Sequence, residues 1–152
     1  MNYTSFNYFG KKVDMSIYPI KIEDNLQTLG FGNGSALIIS GPLKAAQNYA
    51  RILLSRKGEH IDDPLFGTSL LLDLSSGNML HPMRVSQAFS MANLDAMVYL
   101  YKKYTADTPL DEKIKFVTLL EYTSSGPTDI SFRAELTMAS QDSLTFLLPI
   151  NY

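Results

Sequence analysis

The chain has 152 residues, 45% of them hydrophobic and 18% charged, with 13 basic against 15 acidic side chains for a net charge of −2. That length suits one packed domain rather than two, and the balance excludes disorder. The near-neutral charge speaks against a phosphate-binding footprint, so no nucleic-acid partner is expected. With no cysteine, disulfides, thiolate metal sites and cysteine nucleophiles are excluded.

No apolar run approaches the roughly 18 residues a membrane helix needs, and Met1 to Phe9 lacks the basic-then-apolar build of a signal peptide. The expectation is assembly in the cytosol without membrane insertion. Residues 1–34 read as an N-terminal extension with one short strand around Val13, Met15 and Ile17, stopped by Pro19. Gly30, Gly32 and Gly34 follow. Their spacing is wrong for a dinucleotide loop, and they read as a flexible turn.

Residues 35–152 read as the domain proper. Pro42 suits the first position of a helix, and Leu43, Ala46, Ala50, Leu53 and Leu54 recur at helical spacing. Lys44, Gln47, Asn48 and Arg51 are expected on its solvent side. Arg56 and Lys57 are expected in its last turn, with Gly58 as a left-handed cap. A second helix is expected from Pro82, burying Val85, Ala88, Phe89 and Ala92. Asn93 is expected to recap it and to rotate the apolar stripe onto Leu94, Met97, Val98 and Tyr101.

The loop from Thr105 to Asp111 ends the helical part. Ile114, Phe116, Leu120 and Tyr122 keep period two, and Ser124 to Pro127 make a turn. Ile130, Phe132, Ala134, Leu136 and Met138 then alternate with polar residues, and Leu144 to Leu148 form a last strand before Pro149. The fold class predicted is α+β: two or three helices on one face of an antiparallel meander, because strands with one polar face need cover on the other.

Candidates for chemistry are few. His60 lies among Glu59, Asp62 and Asp63, but one histidine beside two acids in a proline-containing loop reads more readily as a solvated turn than as a metal site. His81, just before Pro82, reads as a helix-start residue. Glu59, Asp62, Asp63 and Asp73 supply carboxylates for glycoside cleavage, yet the chain has no tryptophan to form a sugar platform. Neither a nucleophile elbow nor a phosphate loop occurs. No catalytic residue, metal or cofactor is expected.

The most distinctive segment runs Arg51-Ile52-Leu53-Leu54-Ser55-Arg56-Lys57-Gly58-Glu59, then Asp63-Pro64-Leu65-Phe66-Gly67-Thr68-Ser69-Leu70. It resembles the signature of the baseplate wedge and sheath-initiator family of contractile injection machines. That family includes wedge subunits of contractile phage tails and baseplate subunits of type VI secretion, often labelled lysozyme-like. The likeness spans Ile38 to Leu148.

The resemblance implies a structural protein of a six-fold baseplate that touches wedge subunits and sheath protein. The helices and the Lys57 to Thr68 loop would dock on the wedge, and the last strands would seed the sheath by strand addition. The residues implied in subunit contact are Arg56, Lys57, Gly58, Glu59, Pro64, Phe66 and Gly67 in the loop, and Leu144, Phe146 and Leu148 in the last strand. On this view, removing Ser143 to Tyr152 is expected to leave at least part of the protein folded.

The family's Glu-Pro-Arg element is missing: the junction after the last helix reads Tyr104-Thr105-Ala106-Asp107-Thr108-Pro109. The alternatives are a lysozyme-like peptidoglycan hydrolase and a stand-alone regulatory adaptor of the same fold. The loop's design is intelligible on its own terms: Gly58 and Gly67 allow tight turns, Pro64 stiffens, and Phe66 pins the loop to the core.

Overall fold

The computed structural model describes residues 39–76, 81–126 and 128–150 in full, and the backbone of strand residues 14–15, 20–22, 27–29, 38 and 151. In chain order the elements are β1 (Asp14–Met15), β2 (Ile20–Ile22), β3 (Gln27–Leu29), β4 (Ile38–Ile39), α1 (Pro42–Leu54), α2 (Leu70–Ser75), α3 (Pro82–Lys103), β5 (Ile114–Gly126), β6 (Asp129–Met138) and β7 (Ser143–Asn151). The architecture is α+β, a single small domain with helices against an antiparallel sheet. The expected glycine turn at Gly30 to Gly34, and Val13, Ile17 and Pro19 of the expected first strand, lie outside the described residues.

The last three strands form the meander that the alternation predicts. In β6, Ile130, Phe132, Ala134, Leu136 and Met138 are all buried, and in β7 so are Leu144, Phe146, Leu148 and Ile150. Pro149 does not end β7, which runs on to Asn151.

Strand β5 departs from simple alternation. Its pairing with β6 slips between Ile114 and Phe116, between Leu119 and Glu121, and between Ser124 and Gly126. Each slip is a bulge that inserts one residue and reverses the side-chain phase. Val117 and Leu119 therefore face the core beside Ile114 and Tyr122, whereas Phe116 and Leu120, expected inside, are exposed. Tyr101 secures the first bulge by donating its hydroxyl to the Lys115 carbonyl at 2.6 Å, and the Ile114 N–H donates to the Tyr104 hydroxyl at 2.8 Å.

Helix α1 lies at the centre and is buried nearly all round. Gln47, expected on a solvent side, is completely buried. Three alanines, Ala45, Ala46 and Ala50, keep the helix thin enough to be enclosed. Tyr49 packs edge-on to Phe146 at 6.0 Å and donates its hydroxyl to Asn93 on α3 at 2.9 Å. Burial pushes the Tyr49 pKa up, which keeps that donor protonated. Lys44 pairs with Glu112 at 3.0 Å, tying the start of α1 to the loop before β5.

Asn93 is thus a mid-helix acceptor and not a new cap. Helix α3 is continuous over its 22 residues and buries Val85, Phe89, Ala92, Ala96, Met97 and Leu100. Leu94, Val98 and Tyr101, expected inside, are exposed instead. The helix end also differs: α1 stops at Leu54, and Ser55 is already extended, so Arg56 and Lys57 lie beyond the last turn. The short helix α2 falls where no helix was expected.

The five-stranded sheet has the order β3-β2-β7-β6-β5, and β1 pairs separately with β4. The segment read as an extension therefore supplies strands to the main sheet, and β7 is an interior strand, not a terminal edge.

Candidate functional site: a pinned loop, an apolar helix face and a guarded edge

The loop after α1 has a closed neck. Thr68 N–H donates to the Ser55 carbonyl at 2.8 Å and Lys57 N–H to the Thr68 carbonyl at 3.3 Å, while the Thr68 hydroxyl reaches back to the Leu53 carbonyl at 2.8 Å. Gly67 sits at φ 104°, and a Cβ there would lie 2.6 Å from the Ser55 oxygen and 2.7 Å from the Arg56 carbonyl carbon. No other residue fits without moving backbone. Gly58, at φ 87°, makes the turn that returns the Glu59 N–H to the Arg56 carbonyl at 3.3 Å. A loop whose ends meet and whose own side chains fill it is an Ω-type loop.

Helix α3 grips this loop along one line. Asp95, Tyr99 and Lys103, four residues apart, share a helix face. Asp95 pairs with Lys57 at 3.4 Å, Tyr99 donates its hydroxyl to Asp63 at 2.6 Å, and Lys103 pairs with Asp63 at 3.0 Å. Phe66 is wedged edge-on between His60, at 4.7 Å, and Tyr99, at 5.4 Å. The Tyr99 hydroxyl and then Lys103 hold the Asp63 carboxyl below the usual carboxylate range. Burial first, and Asp63 second, push Tyr99 up, and the bond to Asp63 raises Lys103.

These three α3 residues were missed in the sequence. Their signal was the four-residue spacing of an acid, a tyrosine and a lysine, complementary to Lys57 and Asp63 in the loop.

The loop residues expected in contact divide into two groups. Gly58 and Gly67 shape the backbone, and Phe66 pins the loop as expected, against the margin of the core and not inside it. Arg56, Lys57, Glu59 and Pro64 are exposed. Arg56 and Glu59 pair loosely at 3.8 Å, and Lys57 is engaged with Asp95. The most prominent side chains at the tip are two the sequence reading had passed over: Ile61 is 96% exposed and Leu65 58%. Beside the loop, the outer face of α3 exposes Met91, Leu94, Val98 and Tyr101.

The strand residues expected in contact are placed otherwise. The side chains of Leu144, Phe146 and Leu148 are at most 2% exposed and belong to the core. A partner meets only the main chain of β7, and β2 already pairs there, with Lys21 opposite Leu147 and Ile22 opposite Phe146.

Among the described residues, no group of three or more histidine, aspartate or glutamate side chains is arranged to hold a metal ion. No described helix is long and apolar enough to cross a membrane. No family model, curated protein or solved structure matches the chain.

Proposed function

We propose that the chain is a non-enzymatic assembly subunit of the baseplate wedge and sheath-initiator type. It docks on wedge subunits through the pinned loop and the outer face of α3, and offers its sheet for strand addition by sheath protein in a six-fold baseplate assembled in the cytosol.

The observation that carries this reading is Ile61. A fully exposed isoleucine stands at the tip of a loop closed at its neck, stacked at Phe66 and clamped at Asp63. Holding an apolar side chain rigidly in water has no folding benefit, and it lowers the ordering cost of binding a partner. The exposed α3 residues lie next around the helix from Asp95 and Tyr99, which grip the loop, so both apolar features face one partner. The contacts of Tyr99 and Lys103 hold Asp63 ionised, which suits a structural ion pair and not the general acid of glycoside cleavage.

The test is affinity capture of the tagged chain from its native source, with mass spectrometry and electron microscopy of the eluate. Wedge and sheath subunits with rings or stubs are expected. A lone protein, or one soluble partner without particles, would replace this reading with the regulatory adaptor. Peptidoglycan turnover that vanishes in Glu59→Gln or Asp63→Asn would replace it with the hydrolase.

A further inference from the structure

We propose that the outer face of α3 seats a partner α-helix, one with an aliphatic stripe and an acidic flank. This rests on the docking reading above and names the element that docks there.

Met91, Leu94, Val98 and Tyr101 are spaced by three, four and three residues, and each is 45–58% exposed. Exposed apolar side chains scattered singly are ordinary on a surface, but these four form one line along the helix. Their spacing is the a and d pattern of a coiled-coil seam, which packs as knobs into the holes of a second helix. The line is about 15 Å long, or nearly three turns. A strand, with its side chains at period two, matches only part of it.

The Tyr101 end of the line is held in one shape. Tyr101 donates its hydroxyl to the Lys115 carbonyl at 2.6 Å and stands edge-on to Tyr104 at 5.9 Å, so its ring is ordered before any partner arrives.

Charge sets the flank of the partner. Arg84 and Lys102 are eighteen residues apart, five full turns, and stand on one border of the line, the border toward Asp95 and the loop. The other border carries Ser86 and Ser90, and the Ser90 hydroxyl donates back to the Ser86 carbonyl at 2.8 Å. Lys102 and Lys115 are exposed at the Tyr101 end, and among the described residues neither meets a carboxylate. A helix with glutamates beside its apolar stripe complements this arrangement. A second copy of the chain does not. Paired antiparallel about the middle of the line, Lys102 falls opposite Ser90, and paired in parallel it falls opposite itself.

The test is fluorescence anisotropy on the full chain with a labelled 21-residue peptide carrying leucine at a and d, glutamate at e and g, and alanine or glutamine elsewhere. Its like charges keep it from pairing with itself. It is expected to bind at least tenfold more tightly than a twin with lysine in place of glutamate. Leu94→Gln is expected to weaken binding at least tenfold with the melt unchanged, because the side chain is already largely in water. Lys102→Glu with Lys115→Glu is expected to reverse the preference between the twins.

The proposal is overturned if the glutamate peptide does not bind, if the twins bind equally, or if either substitution leaves binding as it was. A dimer in analytical ultracentrifugation that Leu94→Gln separates overturns it too, and assigns the face to a second copy.

The parent reading fails separately. Peptide binding by a chain that captures no wedge or sheath subunit keeps the helix seat and removes the contractile assignment. Capture of those subunits that Leu94→Gln leaves unchanged keeps the assignment and removes the helix seat.

Discussion

Around α1, β6 and β7 water is excluded almost completely, and the packing uses Tyr49, Phe132, Phe146 and the aliphatic residues between them. The loop from Arg56 to Thr68 buries little and is held by a few directional contacts: a neck of backbone bonds, one glycine, one aromatic wedge and one carboxylate. Burial is non-directional and spread over many atoms, so the core's stability is distributed. The loop's order is concentrated in single atoms and separable from the fold. Order and stability are therefore distinct properties here, and substitutions distinguish them.

The largest effect is expected from removing residues 143–152. The deletion takes out the strand between β2 and β6, with Leu144, Phe146, Leu148 and Ile150 from the core. Each buried side chain of this kind contributes about 1.5–3 kcal/mol. Four together rival a whole domain's stability of about 5–15 kcal/mol. Circular dichroism is expected to show an unfolded chain, and a cooperative melt would refute the interior placement of β7.

Next comes Gly67→Ala, which forces a Cβ into the Ser55–Arg56 backbone at positive φ. A cost of about 1–3 kcal/mol is expected for the strained backbone alone, read as a lower midpoint in urea. If the loop is separable, the β6 amides keep their protection relative to the new global stability while the Lys57 and Thr68 amides lose theirs.

Smaller again is Tyr99→Phe, which removes one bond to Asp63 and leaves the stack on Phe66. Faster exchange at the Phe66 amide is expected with little change in global stability. The same latch depends on pH at both ends. Asp63 has its folded pKa below the unfolded value of about 3.9, so its contribution is complete above that pH and is lost as pH falls through the lowered value. Lys103 has its folded pKa above about 10.4, so its contribution is complete below that pH and is lost as pH rises through the raised value. Loop protection is expected to be flat between these limits, and a transition near neutrality would refute the latch.

Smallest in stability is Ile61→Asp, expected within about 0.5 kcal/mol of wild type because the side chain is already in water. If the loop docks on a partner as proposed, partner capture falls while the melt is unchanged. Unchanged capture would separate the loop from docking.

Much of the core was legible in the chain. The alternation of β6 and the start of α1 at Pro42 follow from local periodicity and proline chemistry, which need no tertiary information. What stayed hidden depends on contacts between distant residues. The bulges in β5 have no strong local signature, and they moved Phe116 and Leu120 outside. Asn93 resembled a cap because its partner, Tyr49, lies on another helix. Gln47 looked like a surface residue because nothing local tells that α1 is enclosed. Of the candidate site, Gly58, Phe66 and Gly67 were legible from turn chemistry. Ile61 was not, because an exposed isoleucine is recognised only once the fold leaves it outside.

The three slips of β5 have one more consequence. They leave β5 bulged and tethered through Lys115 to the end of α3, while β6 and β7 pair without a slip. A strand laid along β5 therefore meets a ladder interrupted three times.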